Sequence, residues 1–155
     1  MAGARNGVKA IFINEDSPSI PIYSYSCTDA LALSRGTLVE ISDPYTVSMA
    51  NAWTTSGTTA NGCFAGIVSR DKEANDGSTT VAIQRNFRAD VRCSGAVTMG
   101  TVVYCAGNDE VRNLPVTLNA TVSNATVAPY LIGMAVGIAE ETGADGEVIV
   151  IRSLY

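Results

Sequence analysis

Seven carboxylates gather in two short stretches of the chain, Asp71, Glu73 and Asp76 in the first and Glu140, Glu141, Asp145 and Glu147 in the second. Paired carboxylates can serve glycoside hydrolysis, and clustered ones can gather around Ca2+. Both sets, however, surround an Asp-Gly dipeptide, Asp76-Gly77 and Asp145-Gly146, where solvated acids are ordinary turn residues. Their spacing matches no EF-hand loop. The chain has no histidine, which excludes Ser-His-Asp and Cys-His nucleophiles. Lys9 and Lys72 are the only lysines, a poor basis for a Ser-Lys pair. Cys27, Cys63, Cys93 and Cys105 contain no CxxC spacing and read as buried free thiols rather than a zinc site. The chemistry-bearing residues therefore predict no enzyme, no cofactor and no metal.

The elements that carry these turns come in two sets. Gly36 opens the β-rich run TLVEI (37–41), and Gly100 opens TVVYC (101–105). Gly66-Ile67 leads into Asp76-Gly77 and TTVAI (79–83). Gly137-Ile138 leads into Asp145-Gly146 and EVIVI (147–151). Cys27 and Cys93 precede the two series. This order predicts two related β units, 22–88 and 89–155, in a single β domain (22–155) behind an N-terminal arm (1–21). Each Asp-Gly predicts a turn, and each Gly-Ile a strand with a bulge or a close backbone approach. TDALALSR (28–35) and SRDKEAND (69–76) have room for a helical turn or two. The rest reads as eight to ten short strands in an all-β barrel or sandwich whose units share a core.

Composition narrows the partners. The 155 residues are 46% hydrophobic and 16% charged, against about 25% charged in average domains. Sparse charge fits either a surface that another protein covers or a Thr/Ser-rich β protein. A net charge of −5 with scattered basic residues argues against nucleic acid. No run approaches the ~20 apolar residues of a membrane span, and no signal-peptide apolar core is present, so neither a membrane partner nor export is expected. The Asn-Ala-Thr sequons at 119–121 and 124–126 are discounted on the same ground.

Two long excursions, 43–62 and 113–130, occupy the same place in their units, and the first holds the lone tryptophan, Trp53. A Trp in a polar loop is either a lid on the core or an interface anchor. The arm contains VKAIFI (8–13), able to add a strand to a partner's sheet edge.

The series LSRGTLVEISDP, FAGIVSRDKEANDGSTTVAIQRNFRADVRCSGAVTMGTVVYC and IGMAVGIAEETGADGEVIVIRS resembles capsid decoration (cement) proteins and head decoration families of tailed bacteriophages. Gly95-Ala96-Val97-Thr98, Gly100 and Val103 carry the middle of the pattern. Gly133, Gly137, Gly146 and Val148 carry its end. The resemblance implies a homotrimer on the outside of a capsid, with the major capsid protein as partner, holding neighbouring capsomers together. It also implies an arm that engages the shell, which assigns that contact to Val8, Ile11 and Phe12, with Trp53 as a loop contact. The rival readings are a virion carbohydrate- or receptor-binding β module that uses Trp53, and a hydrolase that uses the acidic turns.

Overall fold

The computed structural model describes residues 11–12, 22–43, 45–51, 63–113 and 135–154. Among them are eleven strands: β1 (Ile11–Phe12), β2 (Ile22–Ser26), β3 (Leu38–Asp43), β4 (Thr46–Met49), β5 (Cys63–Val68), β6 (Thr80–Gln84), β7 (Arg88–Cys93), β8 (Val102–Cys105), β9 (Glu110–Asn113), β10 (Ala135–Ala139) and β11 (Val148–Ser153). The fold is all-β. The segments 28–35 and 69–76 form turns rather than helix, and no helix among the described residues is long and apolar enough to cross a membrane.

Five strands close a barrel in the order β2-β4-β3-β5-β6. The second sheet runs β1-β7-β11-β10-β8-β9, and β7 also pairs with β9, so β7 to β11 close a ring in the matching order. In both, the ring is sealed by a short parallel contact, Ser26 opposite Thr46 in one and Arg92 opposite Glu110 in the other. The hydrogen bonds of the connecting turns match as well. Cys27 donates to Thr79 O (2.9 Å) and Cys93 to Glu147 O (2.7 Å). Gly36 donates to Val68 O (2.9 Å) and Gly100 to Ala139 O (2.8 Å). Leu33 and Lys72 exchange backbone bonds, as do Val97 and Gly143.

Side-chain alternation explains how two barrels pack in so short a chain. Successive strand residues point to opposite faces. In β3, Val39 and Ile41 point into the first barrel, whereas Leu38 joins the apolar cluster of the second. In β5, Ala65 and Val68 face the first, and Phe64 and Ile67 the second. β3 and β5 are thus buried on both faces and make the seam. The expectation of one shared core is refined by this: there are two clusters, and the larger borrows the outer face of the first barrel. Phe64 meets Phe87 edge to face across the seam, with ring centroids 6.1 Å apart. Leu38 N–H donates to Asn108 O at 2.8 Å, joining the units through their backbones. Glu40, buried at the same seam, accepts from Asn51 Nδ2 (2.9 Å) and Asn51 N (3.3 Å).

The first excursion begins later than the sequence suggests, because a strand lies inside 43–62, whereas the second begins where β9 ends. Thr46–Met49 pairs antiparallel with β3 and Glu110–Asn113 with β8, and each also supplies the short parallel pairing that seals its barrel.

Candidate interaction surface

The acidic stretches are the first place to look for chemistry, and the structure gives most of their carboxylates structural work. Asp76 Oδ1 accepts from Ser78 N (2.8 Å) and from Lys72 Nζ (3.2 Å). The Ser78 N–H and then Lys72 hold its carboxyl below the ordinary carboxylate value. Asp29 Oδ1 accepts from Gly77 N at 2.9 Å, and Asp145 Oδ1 accepts from Gly95 N at 2.7 Å, so one acid in each unit pins one glycine turn. Asp71 Oδ1 accepts from Arg35 N (2.6 Å), Glu147 Oε2 from Ala144 N (2.8 Å) and Glu141 Oε2 from Val150 N (3.1 Å). Glu140 lies between Arg88 (2.6 Å) and Arg152 (3.7 Å). Among the described residues, no three His, Cys, Asp or Glu side chains are placed to hold a metal ion.

Lys72 shows how far this goes. Its side chain is 3% exposed, and Nζ donates to Asp29 O (2.9 Å), Glu73 O (3.0 Å) and Asp76 Oδ1. Three acceptors use the three ammonium protons. The group is a strut between the turn after β2 and the turn before β6. Lys72→Met should destabilise the protein by about 2 kcal/mol, since it strands two carbonyls and one partly exposed carboxylate. Urea unfolding of the two proteins measures this, and an unchanged midpoint would refute the role.

The thiols are equally committed to the interior. Cys27, Cys93 and Cys105 are buried and Cys63, the first residue of β5, is exposed. Burial raises the Cys93 thiol to about 11 and pushes Cys105 further in the same direction. One thiol per native chain, Cys63, should react rapidly with an aromatic disulfide reagent, and the other three only on unfolding. The same shifts fix a pH dependence. An unfolded thiol ionises near about 8.5, so above that pH the unfolded chain loses protons that the folded chain keeps. Stability should therefore fall as pH rises, by about 1.4 kcal/mol per pH unit for each such thiol, and Cys105→Ala should flatten the slope. Urea midpoints across the alkaline range test it.

Some of the surface open to a partner is apolar or lies at a sheet edge. Ile11 and Phe12 form β1, in register with Asp90 and Ala89 of β7 in the same chain, and β1 is the outermost strand of its sheet. Val8 and Trp53 lie outside the described residues, as do residues 52–62 and 114–134 of the two excursions. The sequence reading missed Tyr45. It is 79% exposed, its backbone sits at φ 62°, and its carbonyl accepts from Ser26 N at 2.7 Å where the first barrel closes. The Asp43-Pro44 pair before it was the available signal for a tight turn. It also missed Ile22 (55% exposed) and Tyr23 (44% exposed) on β2, where Arg85 stacks 5.8 Å from the Tyr23 ring centroid.

No protein-family profile matches the chain, and no curated protein matches it. Among solved structures it is similar to the N-terminal base of the head fiber protein gp8.5 of bacteriophage phi29. That similarity has a TM-score of 0.50 at 11% identity and covers 86% of this chain and 93% of that one. It is a likeness of fold.

Proposed function

We propose that the protein is a structural component of a tailed-phage virion, bound to the outside of the capsid, where it stabilises the shell by bridging neighbouring capsomers. The observation that carries this reading is the likeness of nearly the whole fold to the base of a phage head fiber. The glycine and β pattern of head decoration proteins supports it independently. So does the use of the acidic stretches as turn braces and ion pairs, beside exposed apolar side chains such as Ile22, Tyr23 and Tyr45.

The mechanism is adhesive. The protein assembles as a homotrimer on the major capsid protein, and many modest contacts act together. The arm makes the shell contact through Val8, Ile11 and Phe12, with Trp53 as a loop contact. Since Ile11 and Phe12 already pair with β7 on one side, the edge they offer a shell strand is the other side of β1. Co-sedimentation with empty, expanded shells tests the reading. Saturable binding at a fixed ratio to the major capsid protein is expected. Absence of binding, with glycan binding that Trp53→Ala abolishes, would replace it with the carbohydrate-binding module.

A further inference from the structure

The matched hydrogen bonds place β2 and β7 at the same position in their barrels, with Ser24 corresponding to Asp90 and Tyr23 to Ala89. On β7 that stretch carries a strand, because Ile11 and Phe12 pair with Asp90 and Ala89. On β2 it carries none among the described residues: β4 reaches β2 only at Ser26. Ser26 N–H points towards β4, to Tyr45 O, and Cys27 N–H points towards β6, to Thr79 O. Alternation along the strand therefore aims the Ser24 N–H and C=O outward, at the open edge.

Exposed edges in folded proteins are ordinarily blunted by lysine, proline, a bulge or an inward charge. β2 reads Ile-Tyr-Ser-Tyr-Ser, has none of these, and pairs with β6 in unbroken register over all five residues. Its charge also differs from that of β7. The arm segment Ile11-Phe12-Ile13 is uncharged. β7 presents Ile11 and Phe12 with Asp90 and Ala89, whereas the corresponding residues of β2 are Ser24 and Tyr23. In the register seen on β7, the arm on β2 sets Phe12 opposite Tyr23, and the same register continued by one residue would set Ile13 opposite Ile22. Aromatic and β-branched cross-strand pairs of that kind favour pairing.

We propose that the open edge of β2 is the docking site for the arm of a second copy of this chain, so that neighbouring copies are joined by arm exchange. Ile11 takes the Ser24 backbone groups, and the outer side of the exchanged strand stays available to the shell. The arm then leaves β7 of its own chain for the corresponding edge of its neighbour, a move that needs a hinge that lets it reach and an edge on β2 that pairs with it at least as well as β7 does.

Two measurements test it on the full chain. The first uses Ser24→Pro, which removes only the outward N–H and leaves the ladder to β6 intact. Wild-type protein should show a mass that is a multiple of the 16.1 kDa chain by light scattering, and Ser24→Pro the mass of one chain with an unchanged circular dichroism spectrum. A wild type that stays a single chain at millimolar concentration, or a Ser24→Pro mass equal to wild type, overturns the proposal. The second mixes Phe12→Cys chains with Tyr23→Cys chains, both carrying Cys63→Ser, under mild oxidation. A disulfide-linked pair formed in the mixture supports it. Oxidation only within a Phe12→Cys, Ala89→Cys double variant, with the mixture unlinked, keeps the arm on its own chain and overturns it.

Discussion

Gly66→Ala is expected to destabilise the protein by about 3 kcal/mol or more, lowering Tm by about 10 °C in a chain of this size. Gly66 sits at φ 144° in the middle of β5, where the β3–β5 register shifts between Val39 and Glu40. A Cβ built on it lies 2.5 Å from Gln84 O and 2.7 Å from Ile83 Cγ2. The first of these is backbone in the neighbouring strand, so relief requires β5 and β6 to separate, and β5 carries side chains of both apolar clusters. Gly137 faces the same obstacle at Arg152 O, beside the β10–β8 register shift. Gly77→Ala is the control. Its φ is also positive, at 80°, but nothing lies within 4 Å, so only the conformational cost of about 1 kcal/mol remains. Thermal unfolding of the three variants decides the matter. Equal losses at Gly66 and Gly77 would mean that backbone conformation, not the close approach of β6, sets the cost.

Those two glycines also show how much of the fold was legible in the residues. Gly-Ile followed by Asp-Gly, written twice, announced a bulged strand and a turn, and both appear twice because each unit closes the same way. The run 37–41 announced a strand holding Val39, but nothing local said that Leu38, one residue away, faces a different core, nor that Phe64 and Ala65 divide in the same way. That depends on the second barrel lying against the outer face of β3 and β5, a contact between residues far apart in sequence. Thr46–Met49 and Glu110–Asn113 were hidden for the same reason. Each is short: its ladder is with the neighbouring strand β3 or β8, and its closing contact is with the distant first strand of its unit. The acidic stretches were legible as turn chemistry, since Asp and Glu beside Asp-Gly offer carboxylates to nearby N–H groups. The role of Lys72 was not, because its acceptors include the carbonyl of Asp29, 43 residues away. The exposed edge of β2 escaped notice because Ile-Tyr-Ser-Tyr-Ser alternates like a half-buried strand. Only the five-residue ladder to β6 beside a single contact to β4 shows that, among the described residues, nothing pairs with the rest of its other side.

Removal of residues 1–13 should abolish shell binding while leaving the barrels folded. The two-residue β1 contributes one short pairing to β7, and β7 keeps its ladder to β11 and its parallel contact with β9. Neither closed ring includes β1, so the truncated chain should unfold within about 1 kcal/mol of wild type. On the proposed trimer its effect on binding should be far larger, because the arms would act together. If each arm contributes about tenfold in affinity, three arms on one assembly contribute about a thousandfold. A point change separates the arm's residues from its mere presence. Val8→Asp places a charge in the arm segment proposed for the shell contact and should weaken binding without touching the pairing of Ile11 and Phe12 with β7. Co-sedimentation at matched concentrations, with circular dichroism on the unbound fraction, reads both quantities. Full occupancy by the truncated chain would remove the arm from the mechanism and move the shell contact to the barrels. There Tyr45, exposed and held at positive φ beside the closure of the first barrel, would be the residue to change next.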